Sequence, residues 1–170
     1  MPDSVAETYR PVSESLAYVF REYGRTDIHI GPEDAESPWV ELLPGVNIRH
    51  LQFDVRRNAW TSIIWVQQGG MIGRHRHRGA VDGYVVEGSW KYLEYDWVAT
   101  VGSFIHESPG VIHTLYSEHG MKTLFTLCGP LEFYDDDDNL VLVHDAFYLI
   151  DNYVQHCKAN NLPINPKLFL

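Results

Sequence analysis

The sequence predicts an all-β protein, a sandwich or barrel of many short strands with a helix near each end. Three observations carry this. Short runs rich in Val, Ile, Trp, Tyr and Phe recur through the middle of the chain, separated by clusters of Gly, Pro, Asn and Asp, which is how strands and tight turns alternate. Two flanking segments instead space their apolar residues at helical intervals. The 170 residues, 45% hydrophobic and 21% charged, suit one soluble domain with a sizeable core.

Residues 1–35 read as an N-terminal arm followed by a short helix, with Leu16, Val19 and Phe20 on one face of Ser13–Tyr23 and Gly24 as its stop. Residues 36–143 carry the strands. The candidates are Trp39–Leu43, Asn47–Val55, Thr61–Gln67, Tyr84–Val86, Trp90–Tyr95, Ser103–His106, Ile112–Tyr116, Lys122–Leu127 and Leu131–Tyr134. Asp135 to Asp138 form a four-carboxylate run before Asn139. It reads as a solvated hairpin turn, with a hard-cation site as the alternative; the spacing is not that of an EF-hand loop. Residues 144–170 form a C-terminal helix and tail, and Phe147, Ile150, Tyr153, Val154 and Cys157 make a stripe that packs on the barrel.

A net charge of −10 argues against nucleic acid or an anionic membrane as partner, because both need clustered Lys and Arg. The two cysteines, Cys128 and Cys157, form no CxxC pair, so neither a zinc ribbon nor a disulfide framework is implied. A reducing compartment is the simpler reading, and the N-terminus lacks signal-peptide features, so a cytoplasmic location is expected. No apolar run approaches membrane-spanning length.

The stretch from Gly69 to His77, with His75 and His77 two residues apart, carries the chemistry. On a strand, positions i and i+2 share a face, so two imidazoles point one way and Arg74 and Arg76 the other. That is a two-ligand platform for a divalent metal. Downstream, Pro109-Gly110 precedes His113 at the start of another strand.

These residues resemble the two motifs of the cupin superfamily. Gly69, His75, His77 and Gly88 match the first; Gly102, Pro109, Gly110 and His113 match the second. The resemblance implies a double-stranded β-helix, or jelly-roll barrel, over roughly residues 36–135. It implies metal ligands His75, His77 and His113. Cupins usually add a Glu shortly after the second His, and Val81 stands at that place; Asp82 reaches the metal only through a slip or bulge. The preferred reading is a neutral three-histidine site.

Such a site is similar to that of the three-histidine iron cupins, and most closely to the 2,4′-dihydroxyacetophenone dioxygenase family. The residues carrying this are 74–79, Glu87-Gly88-Ser89-Trp90, 92–97, Gly102-Ser103-Phe104, Glu107-Ser108-Pro109-Gly110 and His113-Thr114-Leu115. The resemblance implies Fe(II) and cleavage of a C–C bond beside a ketone with O2, giving carboxylic acids from a 2-hydroxyketone or β-diketone. Zinc, nickel or manganese would also suit three imidazoles in a purified sample.

Within that frame Glu107 and Tyr92 are the candidate acid–base or hydrogen-bonding groups. Glu94, on the same predicted strand face as Tyr92, is a candidate substrate-binding group or a fourth ligand. Trp60 and Trp90 are candidates to line an aromatic substrate pocket. His29, His50, His106, His119, His144 and His156 read as structural or surface histidines. A homodimer or homotetramer is expected, since cupins commonly pair sheet edges. The competing reading is a metal-binding cupin with a sensor or binding role and no oxygenase activity.

Overall fold

The computed structural model describes residue 22, residues 27–33 and residues 35–170. The expected helix over Ser13–Tyr23 therefore lies, except for Glu22, outside the described residues. Eleven strands follow: β1 Trp39–Leu43, β2 Val46–Asp54, β3 Ala59–Val66, β4 Gly70–His77, β5 Val81–Tyr92, β6 Ala99–Thr100, β7 Phe104–Glu107, β8 Ile112–Ser117, β9 Met121–Cys128, β10 Leu131–Tyr134 and β11 Leu140–His144. Helix α1 spans Ala146–Ala159. The strands form a curled antiparallel sheet in the order β1-β2-β3-β9-β5-β8-β4-β10-β11, and β6 and β7 pair with β5.

Period-two alternation builds the interior. In β3, Trp60, Ser62, Ile64 and Val66 turn inward, and in β9 Met121, Thr123, Phe125 and Leu127 do the same. Tyr84–Val86 and Trp90–Tyr95, expected as separate strands, are parts of the single strand β5. Gly88 makes this possible. Its φ is +70°, and a Cβ there would lie 2.0 Å from the Gly120 carbonyl oxygen. The residue takes a backbone geometry that side chains disfavour, just where β5 leaves β9 for β8. The strand also ends at Tyr92, earlier than expected, so Glu94 lies in the following turn.

The acidic run closes the β10–β11 hairpin. The Asp135 carboxylate accepts the backbone N–H groups of Asp137 and Asn139, and Asp138 accepts from Arg74 at 2.6 Å. Helix α1 is capped by Asp145, whose side chain accepts from the Tyr148 N–H at 2.9 Å. Its buried face is Ala146, Leu149, Tyr153 and Cys157, with Ile150 and Val154 partly buried beside it. Phe147 departs from the expected stripe and is 62% exposed, because the helix begins one residue before it and the series 146, 149, 153, 157 sets the inward face. Among the described residues no helix is long and apolar enough to cross a membrane.

Candidate metal centre

Strand β4 presents the first two histidines through a bulge. Its register with β8 runs Ile72 to Leu115 and then His75 to His113, so β4 carries one extra residue at Gly73–Arg74. The bulge lets both Ile72 and His75 face the interior although they are three apart. It also turns the Gly73 carbonyl toward its own strand, where it accepts from His75 Nδ1 at 2.7 Å. That bond places the proton on Nδ1 and leaves Nε2 as the donor to a metal. On the opposite face, Arg76 and Arg78 grip Glu132 of β10. Arg76 donates to Oε2 at 2.7 and 3.0 Å, and Arg78 to Oε1 at 2.8 Å. The Tyr134 hydroxyl adds a bond of 2.7 Å. These bonds, led by the tyrosine's, hold the Glu132 carboxyl down at about 2 and fasten β4 to β10 directly behind the imidazoles.

His113 enters from β8. Gly110, at φ +92°, makes the turn that precedes it, and its N–H donates to the His77 carbonyl at 2.9 Å. His113 is thereby the cross-strand partner of His75, with ring centroids 4.6 Å apart. One ligand atom from each of His75, His77 and His113 lies within 4.8 Å of the others, and the three residues are 3%, 6% and 2% exposed. Burial, then the neighbouring imidazoles, push His75 well below the ordinary histidine range. Burial takes His113 down to about 4 against the opposing pull of Glu107. Neutral imidazoles are the form that ligates.

Glu107 completes the cluster. Its Oε1 accepts from the Tyr92 hydroxyl at 2.6 Å, while Oε2 lies 3.0 Å from His77 Nε2 and 3.6 Å from His113 Nε2. Tyr92 in turn stacks on the His113 ring at 3.7 Å and 5°. Burial, followed by the charge of Glu107, raises the Tyr92 phenol well above its usual range, so it stays a donor. Glu107 Oε2 and His113 Nε2 are buried without a hydrogen-bond partner, a costly arrangement unless a further group satisfies them. A divalent cation held by His75, His77 and His113 would satisfy the His113 nitrogen, and Glu107 Oε2 would remain to accept from a bound molecule.

The carboxylate reaches this interior from β7, not from β5. Val81 is buried and faces inward, paired with Glu107 across the strands. The ligand group is the three imidazoles, and Glu107, the candidate acid–base residue, stands beside them. Asp82 turns outward and binds His106 at 2.7 Å, which takes both residues away from the cluster.

Two spaces adjoin the cluster. An inner cavity of about 60 Å³ lies within the barrel and is walled by His75, His77, Tyr92, Glu107 and apolar side chains including Trp60. An outer recess of about 200 Å³ is walled by Tyr92, Glu107, His113, Tyr95, Trp97 and Ser108 among others. Trp90 lines neither space; its indole N–H is spent on Thr123 Oγ1 at 2.9 Å and its ring packs on Tyr92. Glu94 lines neither space, because the strand stops at Tyr92; its carboxylate instead accepts the Thr114 backbone N–H at 2.9 Å. Sequence reasoning missed Glu132, whose clue was the Arg-His-Arg-His-Arg alternation, and the stacked Tyr95–Trp97 pair at the recess. It also missed His144, which is buried on the inner wall with both ring nitrogens unbonded.

A curled antiparallel barrel with a converging histidine triad defines a cupin. Within that class, the sequence matches the ChrR cupin-like domain over residues 28–132, and the chain belongs to that family. An RmlC-like cupin protein from Ralstonia eutropha JMP134 is 30% identical, with a TM-score of 0.75 over 82% of this chain and 94% of its own. An acetylacetone dioxygenase from Acinetobacter johnsonii shares the fold at 18% identity, with a TM-score of 0.70 over 77% of this chain and 93% of its own. So does the Rhodobacter sphaeroides SigE complex with the anti-sigma ChrR, at 19% identity and a TM-score of 0.50, over 71% of each chain. A search of curated proteins finds no match.

Proposed function

We propose that the chain is a dioxygenase that cleaves the C–C bond beside a ketone, using iron(II) held by His75, His77 and His113. Its substrate is a 2-hydroxyketone or β-diketone. The observation that carries this reading is the Tyr92–Glu107 pair, one carboxylate oxygen held by a phenol and the other unspent beside two imidazoles, at the foot of a recess that reaches the cluster.

Bound iron(II) would supply Lewis acidity toward the ketone oxygens and a place for dioxygen to react. The protein's own groups do the rest. Glu107 Oε2 accepts the acidic proton of the substrate, and Tyr92 keeps the carboxylate oriented through Oε1. The stacked Tyr95 and Trp97 rings, 5.5 Å apart at 15°, flank the substrate's apolar part in the outer recess. For a 2-hydroxyketone the overall change is R–CO–CH2OH + O2 giving R–COOH and HCOOH. The cleaved carbons provide all four electrons, so no nicotinamide, flavin or 2-oxoglutarate is needed.

Membership of the ChrR cupin-like family favours a second reading, a metal-holding sensor without oxygenase activity. Oxygen uptake separates the two. Iron-loaded protein given 2-hydroxyacetophenone or acetylacetone should consume dioxygen and yield carboxylic acids detectable by mass spectrometry. Tight metal binding with no uptake on any ketone tried would leave the sensor reading.

A further inference from the structure

We infer that the inner cavity is a binding pocket for dioxygen, on the opposite side of the histidine cluster from the recess that takes the ketone. The inference rests on the dioxygenase reading. The two spaces share a wall: Tyr92 and Glu107 line both, His75 and His77 line only the inner one, and His113 only the outer. A metal among the three imidazoles would be approached from both sides.

Size divides the occupants. A cavity of about 150 Å³ accommodates a benzene ring. The outer recess, at about 200 Å³, exceeds that, and the inner cavity, at about 60 Å³, falls well short. An aryl ketone therefore fits outside and a diatomic gas fits inside.

The lining chemistry divides them the same way. Away from the cluster the inner wall is built from Trp60, Ile64, Ile72, Leu115, Phe125 and similar apolar side chains. A ketone with two oxygens would lose its water hydrogen bonds there with little in return. Dioxygen has no dipole and no hydrogen bonds to lose, so it partitions from water into such a space. His144, beyond Phe133 from His75, is the polar exception on that wall; burial lowers it to about 4, so it adds no charge at neutral pH. The outer recess offers Ser108, Glu107 and exposed aromatic rings, which suit a polar organic molecule.

Two measurements test this, one of them independent of turnover. Crystals of the metal-loaded protein pressurised with xenon should show xenon in the inner cavity. Ile64→Phe, which fills that cavity from β3, should remove the xenon and raise KM for dioxygen about fivefold with kcat unchanged, the signature of lost ground-state binding. The dissociation constant of 2-hydroxyacetophenone, measured anaerobically by calorimetry, should not change. Xenon found only in the outer recess, or nowhere, overturns the assignment. So does an Ile64→Phe variant that stays folded and weakens ketone binding while leaving KM for dioxygen as it was. If xenon fills the inner cavity but wild-type iron protein consumes no dioxygen with any ketone, the activity fails, and the pocket is an apolar void with no role in it.

Discussion

Val81 on β5 and Glu107 on β7 are cross-strand partners, and both side chains point into the barrel beside the histidine cluster. A carboxylate at either position would enter the same small volume. The first strand offers a methyl-branched side chain, and the second offers the acid that Tyr92 holds.

Glu107→Gln should therefore separate metal retention from turnover. The amide still accepts from Tyr92 but cannot take a proton, so kcat should fall by roughly 10²–10⁴, the usual worth of a general base. Metal content, measured by elemental analysis, should be unchanged. Loss of the metal together with activity would mark Glu107 as a ligand. Val81→Glu alone should tighten metal binding and slow oxygen uptake, because it adds a second negative group.

His77→Ala should abolish stoichiometric metal binding while the far-ultraviolet circular dichroism stays that of the wild type, since the side chain sits at the end of β4 and carries little of the apolar core. A variant that keeps one tightly bound equivalent would show that the three imidazoles do not form the site.

Glu132→Ala should destabilise the fold by about 2 kcal/mol, because it leaves Arg76, Arg78 and Tyr134 without their shared acceptor. Metal affinity should weaken as well, since β10 no longer braces the strand that carries His75 and His77. Urea denaturation and metal titration read the two effects separately.

Acid should destabilise the metal-free protein. Burial pushes His50 down to about 3, below its ordinary 6.5, and His113 and His144 go to about 4 for the same reason. Between those values and 6.5 the unfolded chain binds more protons than the native one. The stabilisation is complete above about pH 6.5 and is lost progressively as pH falls toward 3 to 4. His50→Asn should reduce the slope of stability against pH in that window by up to about 1.4 kcal/mol per pH unit, one proton's worth. Urea midpoints at several pH values, taken with chelator present, would show it.

Most strand positions, His75, His77 and the Pro109-Gly110 approach to His113 were legible in the sequence, because alternation and turn chemistry are local properties; β6, β11 and the continuity of β5 through Gly88 were not. What was not legible depends on pairing across the sheet. Nothing near Glu107 reveals that it faces Val81, and nothing near Arg76 reveals Glu132, 56 residues away. Alternation put Trp90 and Tyr92 on one inward face, but it could not tell that Trp90 packs away from both cavities. Glu94 was misplaced because the end of β5 is fixed by the turn after Tyr92, where strand propensity alone would have continued to Tyr95.

The extra residue at Gly73–Arg74 splits β4 into two halves of opposite parity. Counting inward positions by twos from Ile72 would place Arg74 and Arg76 inside and both imidazoles in solvent. The whole coordination sphere is therefore hostage to the bulge: ironing it out with every residue kept would turn both imidazoles outward, whereas removing Gly73 would set Ile72 and His75 two positions apart and keep the ligand pair inside.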